Sequence, residues 1–238
     1  MKYLYWAGLG VVAATLLVGG PQLSAVDQPR NDPIVKEVPQ MLAEYPSNVK
    51  LLFENEFVWV LEYRLRPGEE LPVHDLGNHA VYALSDYRLL SLHSYEPSAE
   101  LWTKGEVHWY RCEPHEVKNI GNTVARYLAV ARKPFPLGKA PRVHPQEGLT
   151  ALSPESARKL FENPHMRIIE VALAPGETQP AHQGLYRVVY SLANYQIRMA
   201  GNEYKFRPGD THFHGPGEHA VENTGQTMAR FVVFELHQ

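Results

Sequence analysis

From about residue 50 onward the chain alternates apolar and polar positions in short runs that end at turn residues. The clearest run, 57–66, sets Phe57, Trp59, Leu61, Tyr63 and Leu65 against Val58, Val60, Glu62, Arg64 and Arg66, then stops at Pro67-Gly68. A period of two is that of a strand, and Pro-Gly closes it with a turn. Runs at 80–84, 88–92, 108–111 and 126–130 read the same way, and 231–236 repeats the pattern near the C-terminus. Helical signals are confined to 35–45 and 153–160; in the second, Ser153-Pro154-Glu155 reads as an N-cap followed by Pro at the first helical position. The pattern predicts a mostly antiparallel all-β protein.

The chain repeats itself. Leu52-Phe53-Glu54-Asn55 recurs as Leu160-Phe161-Glu162-Asn163, a shift of 108 residues that also carries Pro67-Gly68-Glu69 to Pro175-Gly176-Glu177, His74 to His182 and Tyr82 to Tyr190. Past a four-residue deletion the shift is 104, taking Gly105 to Gly209, His108 to His212, His115 to His219 and Asn119 to Asn223. Two copies of one unit are therefore expected, 34–133 and 155–238, joined by a Pro- and Gly-rich linker at 134–154. An eight-strand jelly roll or small barrel is the economical form for each.

Charge and composition narrow the function classes. Lys plus Arg is 23 against Asp plus Glu 26, a net charge of -3. With no basic excess, there is no electrostatic footprint for nucleic acid or anionic lipid. The N-terminus has Lys2, an apolar run from Leu4 to Gly20, and small residues ending at Ala25. This reads as a secretory signal at 1–25, with an uncleaved anchor as the alternative. The mature protein is then expected in the periplasm or outside the cell, with no further membrane association. Cys112 is the only cysteine, so an internal disulfide is excluded.

The repeated motifs resemble the cupin superfamily. Gly68 and, after five intervening residues, His74, then Gly105, His115 and Asn119, resemble its two motifs in the first copy. Gly176, His182, Gly209, Pro216-Gly217, His219 and Asn223 do so in the second. The string from Pro67 to His74 with Val81-Tyr82 is most similar to small cupins named for β-alanine degradation. The resemblance covers nearly all of 50–133 and 158–238 and implies two tandem cupin jelly-roll barrels, a bicupin. It also implies a divalent transition metal, Fe, Mn, Ni, Cu or Zn, held by two motif histidines, a Glu and the later His. Both copies depart from that set: Leu76 and Gly184 replace the second His, and His79 and Arg187 stand at the Glu position.

Three imidazoles remain in the first copy, His74, His79 and His115, enough for a metal with open positions. The alternative is ordinary polar residues at a barrel mouth. In the second copy Arg187 repels a cation. Beside His182 and His219 it offers instead a planar fork for a carboxylate or phosphate, unless it pairs with Glu170 or another acid. His214 shares a strand face with His212 and replaces a lost ligand if that face is the interior. Glu62 and Glu170 stand mid-strand, either as inward carboxylates or in cross-sheet ion pairs. Eight of the twelve histidines fall in the motif windows 67–87, 105–119, 175–195 and 209–223, under a third of the chain, which favours retained imidazole chemistry.

Two functions follow as expectations. One is a secreted bicupin that binds a small polar or carboxylated molecule, with a metal in the first barrel supporting oxygenase, isomerase or lyase chemistry. The other is a non-catalytic binding or structural module with degenerate metal sites. No nucleotide cofactor is expected, and no catalytic residue is assigned. The resemblance implies sheet-to-sheet pairing, either as a homodimer or between the two barrels of one chain.

Overall fold

The computed structural model describes residues 35–93, 96–138, 149, 153 and 155–237. The expected signal at 1–25 and most of the expected linker lie outside them. A short helix, α1 (Val38–Glu44), is followed by β1 (Val49–Glu54), β2 (Val58–Leu65), β3 (Glu70–His74), β4 (His79–Ala83), β5 (Tyr87–His93), β6 (Glu96–Trp102), β7 (Val107–Tyr110), β8 (His115–Asn119) and β9 (Ala125–Arg132). The second copy supplies β10 (Ala157–Glu162), β11 (Met166–Leu173), β12 (Thr178–Gly184), β13 (Tyr186–Ser191), β14 (Tyr195–Met199), β15 (Asn202–Phe206), β16 (Thr211–His214), β17 (Gly217–Asn223) and β18 (Ala229–Leu236). Each strand of the first copy has its counterpart. The four-residue deletion falls in the β14–β15 hairpin, whose strands have five residues each where β5 and β6 have seven.

Each copy closes a five-stranded sheet over a four-stranded one, with all strand pairs antiparallel. The orders are β1-β2-β9-β4-β7 over β3-β8-β5-β6, and β10-β11-β18-β13-β16 over β12-β17-β14-β15. These are two tandem jelly rolls. The expected helix at 153–160 is corrected: Ala157–Glu162 is strand β10, paired to β11. Ser153 follows a helical turn at Leu149, donating its N–H to that carbonyl, as Tyr45 does to Met41 in the first copy. The residue that looked like a helix start stands at a helix end. Leu149, buried within the stretch expected as linker, packs into the second core.

The motif asparagines prove to be turn clamps. Asn119 donates to the carbonyls of Leu65 and Thr123 and accepts from the Gly121 N–H, while Gly68 donates to the Asn119 carbonyl at 2.8 Å. Asn223 repeats this with Leu173, Thr227 and Gly225, and Gly176 repeats the last contact. Gly68 and Gly176 have φ of 84° and 79°, which a side chain disfavours. So Pro-Gly-Glu and the distant Asn form one fastening between two turns.

The two five-stranded sheets are apolar on both faces because each is buried on both. Leu61, Tyr63 and Leu65 face the first barrel's interior. Val58 and Val60 on the same strand join Val130, Ile168, Val188, Val232 and Phe234 in a core shared by the two copies. From Ile34 on, the chain clusters as one compact unit. Tyr82 meets Phe234 edge-on at 6.5 Å and Phe53 stacks on Phe213 at 6.0 Å. The barrels therefore pack on each other within one chain, through the face that sheet pairing would use. Phe234→Ala should cost about 3–5 kcal/mol, read as a lower urea midpoint at unchanged slope; a loss under ~1 kcal/mol would contradict the shared core.

Candidate functional site

In the first barrel the structure brings His74, on β3, and His79, on β4, to His115, on β8. His74 and His115 are directly paired in register, with ring centroids 4.5 Å apart; His79 and His115 are 5.8 Å apart. Each ring donates from Nδ1 to the carbonyl two residues upstream: His74 to Pro72 at 2.7 Å, His79 to Gly77 at 2.8 Å, His115 to Glu113 at 3.1 Å. A carbonyl only accepts, so Nδ1 carries the proton and the neutral ring's lone pair sits on Nε2. Burial, helped by His115, pulls the His74 pKa down to about 3.

Little space surrounds these rings. Tyr63 stacks on Tyr127 at 4.9 Å, Tyr87 on Trp102 at 5.6 Å, and Trp102 tilts against His108 at 4.1 Å, leaving a cavity of about 20 Å³. That is room for about one water.

The second barrel has the same strands and a different filling. Val171 replaces Tyr63, Phe206 replaces Trp102, Phe231 replaces Tyr127 and Gly184 replaces Leu76. The cavity is about 240 Å³, lined by apolar side chains with His182, Arg187, His212, His214 and His219 at its polar end. Both His212 and His214 face inward. A Cβ on Gly184 would lie 2.5 Å from Arg187 Nη1 and 2.7 Å from His219, so the missing side chain is what admits the guanidinium.

Arg187 is 6% exposed. Its Nη1 donates to the carbonyls of Leu185 and Gly215 at 3.0 and 3.1 Å, and its Nη2 to His219 Nε2 at 3.1 Å. Three of its five N–H groups are used; Nε and the second Nη2 proton have no protein acceptor among the described residues. Nor does any carboxylate pair with it there. Glu235 stands directly across the sheet, but its carboxylate is held by Arg167 at 2.5 Å. Burial lowers the Arg187 pKa to about 10, so it stays charged at neutral pH. Burial and then Arg187 depress His219 to about 3, and His212 and His214 to about 4. The imidazoles are neutral and the arginine holds the charge.

Glu62 and Glu170 are corrected as inward carboxylates. Glu62 takes Arg126 at 2.6 Å; Glu170 takes Arg158 and Arg230, both at 2.7 Å. Their side chains point off the barrel interiors, and the cross-strand ion pair is the right reading. Glu170 is therefore not the partner of Arg187. Cys112 is exposed and donates its thiol to Asp75 at 3.3 Å, a bond that raises its pKa. Sequence reasoning missed Gln179 and Glu235, which line the second cavity where the first copy has Leu71 and Ala131; position-by-position comparison of the copies would have found both.

No protein-family model and no curated protein matches the sequence. Solved structures do. AerE from Microcystis aeruginosa is similar at 14% identity over 80% of this chain and 98% of its own, TM-score 0.59. Oxalate decarboxylase from Bacillus subtilis, with Mn(II) centers, is similar at 13% over 82% and 71%, TM-score 0.57. The fold is that of a bicupin. Salicylate 1,2-dioxygenase from Pseudoaminobacter salicylatoxidans, in adducts with gentisate, gives 12% over 75% and 68%, TM-score 0.53. At such identities the likeness is one of fold.

The residues present fit a metal only in part. In the first barrel the donor chemistry is suitable, since a backbone bond at Nδ1 orients an imidazole for ligation through Nε2. The enclosure is not: among the described residues no group of three His, Cys, Asp or Glu side chains is arranged to hold a metal ion, and the aromatic filling leaves no place for a substrate beside one. In the second barrel a guanidinium occupies the carboxylate position. Neither set fits a catalytic metal. Zinc, manganese or iron(II) added to chelator-treated, untagged protein should shift its melting temperature by less than about 2 °C; a larger rise, absent in His115→Ala, would restore the metal centre.

The depressed histidines also set the response to acid. Their folded pKa values lie below the unfolded value, so the unfolded chain takes up more protons as pH falls. The stability they contribute is full above pH ~6.5 and lost as pH falls toward the folded values of about 3 to 4. Melting temperature should fall from pH 7 to 4, and less steeply in His212→Phe; equal slopes would show that His212 is not held neutral by its surroundings.

Proposed function

We propose that this bicupin is a small-molecule-binding protein whose ligand is a small monocarboxylate with an apolar body, held in the second barrel by Arg187. One observation carries the reading: a buried, charged guanidinium faces a cavity without a carboxylate partner. Burial disfavours the charge and Glu235 across the sheet only partly offsets it; an anion entering the cavity would offset more. Carboxylate matches the guanidinium's planar fork, and hydrogen bonds between charged partners are the strong ones. The apolar remainder of the wall selects a hydrophobic body over a second charge. Oxalate decarboxylase and salicylate dioxygenase, two structural neighbours, are named for small carboxylic acids, which agrees with this reading.

The first barrel, in this reading, is a filled structural partner that braces the second. A leader-like start at residues 1–25 supports export, so the binding would take place in the periplasm or outside the cell; cell fractionation checks that part.

Calorimetric titration with phenylacetate tests the site. Wild-type protein should bind the acid and not the neutral phenethyl alcohol, and Arg187→Met should weaken binding at least ~30-fold, the scale of a lost charged hydrogen-bonded pair. Affinity should be flat from pH 7 to 9, where the imidazoles are neutral, and fall as Arg187 loses its proton near its pKa of about 10. Equal binding of the alcohol, or undiminished affinity in Arg187→Met, would overturn the proposal.

A further inference from the structure

The cavity of the second barrel has a polar lining group besides Arg187 and the histidines. Gln179, on β12, is 2% exposed and lines the cavity, and its Nε2 is buried without a hydrogen-bond partner among the described residues. Nδ1 of His212, which lines the same cavity from the opposite sheet beside His214, is likewise without a partner. Apart from Arg187 itself, no other cavity-lining side chain of this barrel carries a buried, unpartnered polar atom among those described. Leaving a buried donor unmet costs about 1–3 kcal/mol. The strand does not demand a polar residue at this point, since the first copy places fully buried Leu71 there. The amide is there without a structural duty.

Register gives the separation of Gln179 from the Arg187 site. Gln179 pairs with Val221, and His182 pairs with His219, which takes the Arg187 hydrogen bond. Val221 and His219 are two residues apart on β17 and face the same way, which is roughly 7 Å along a strand. Between them the wall is apolar. Volume sets the size: a cavity of about 150 Å³ takes a benzene, so about 240 Å³ takes roughly ten non-hydrogen atoms. A single ring with a short acid arm matches both dimensions.

We propose that the ligand carries, besides its carboxylate, a hydrogen-bond-accepting group such as a ring hydroxyl or carbonyl about 7 Å away, received by the Gln179 amide. This rests on reading the same cavity as a carboxylate site held by Arg187. The ligand class is then a ring-bearing acid with a polar group opposite its acid arm.

Three probes separate the two ideas in one calorimetric series: phenylacetate, para-hydroxyphenylacetate and para-methylphenylacetate. The hydroxy acid should bind about tenfold more tightly than either of the others, because the methyl group matches its size without its acceptor. In Gln179→Leu, which installs the residue of the first copy, the ratio of hydroxy to methyl affinities should fall to about one. Should that variant not fold, the wild-type ratio decides alone, and Gln179→Met provides a second test of the same ratio. Equal binding of the hydroxy and methyl acids by wild type, or a preference that survives in Gln179→Leu, would overturn this inference and leave the carboxylate site standing. Failure of all three acids to bind would overturn both.

Discussion

The face-to-face packing of two five-stranded sheets is the constraint from which the rest follows. Each of these sheets is covered on both sides, by its own barrel interior and by the other copy, so its strands must be apolar in both directions. Val58, Val60, Ala80, Leu128 and Val130 from one copy meet Met166, Ile168, Val188, Val232 and Phe234 from the other, all fully buried. Burying one large apolar side chain contributes on the order of 1.5–3 kcal/mol, and the shared core buries thirteen residues in all. Polar chemistry on these sheets is thereby confined to the barrel mouths and to ion pairs at the margin. His79, Arg187, His212, His214 and Glu235 are exceptions, and each lines a cavity.

Within that frame the copies have diverged in filling rather than in scaffold. The turns, the clamps at Asn119 and Asn223, the helical turns ending at Tyr45 and Ser153, and the strand registers are shared almost position for position. What differs is bulk: Tyr63, Leu76 and Trp102 fill the first barrel, and Val171, Gly184 and Phe206 leave the second open. The exchange of Leu76 and His79 for Gly184 and Arg187 works as a unit, because the guanidinium needs the space that a Cβ would take. One copy is packed to support and the other is opened to receive.

Much of the fold was legible in the sequence, and for physical reasons. Period-two runs ended by Pro-Gly turns announce strands directly, and the displaced copies of the same motifs announce the duplication. The misread helix at 153–160 shows where local signals fail: Ser-Pro-Glu is a good N-cap sequence, but the chain there has already finished a turn at Leu149, and pairing of Ala157 with Val171 decides the state. Strands β3 and β6 carry Pro72 and Pro97 and so gave no period-two signal. The candidate site was half legible. The histidines and Arg187 stand at motif positions, whereas the lack of an acid for Arg187 depends on Glu235 being claimed by Arg167, a three-strand arrangement that no spacing reveals. Cavity volume is equally hidden, since Val171 and Tyr63 read alike as inward apolar residues until their bulk is compared in space.

The surviving histidines invite a metal reading that the geometry redirects. The Nδ1-to-carbonyl bond recurs at His74, His79, His115, His182 and His219, in one barrel that is filled and in another that contains an arginine. It is thus a property of the local backbone, where the carbonyl two residues upstream meets the ring, and it recurs in both barrels. In the second barrel the same oriented ring serves another purpose, since His219 offers its Nε2 to Arg187 and stays neutral in doing so. A device suited to presenting lone pairs to a cation there fixes a cation of the protein's own, and the cavity it faces becomes a place for an anion.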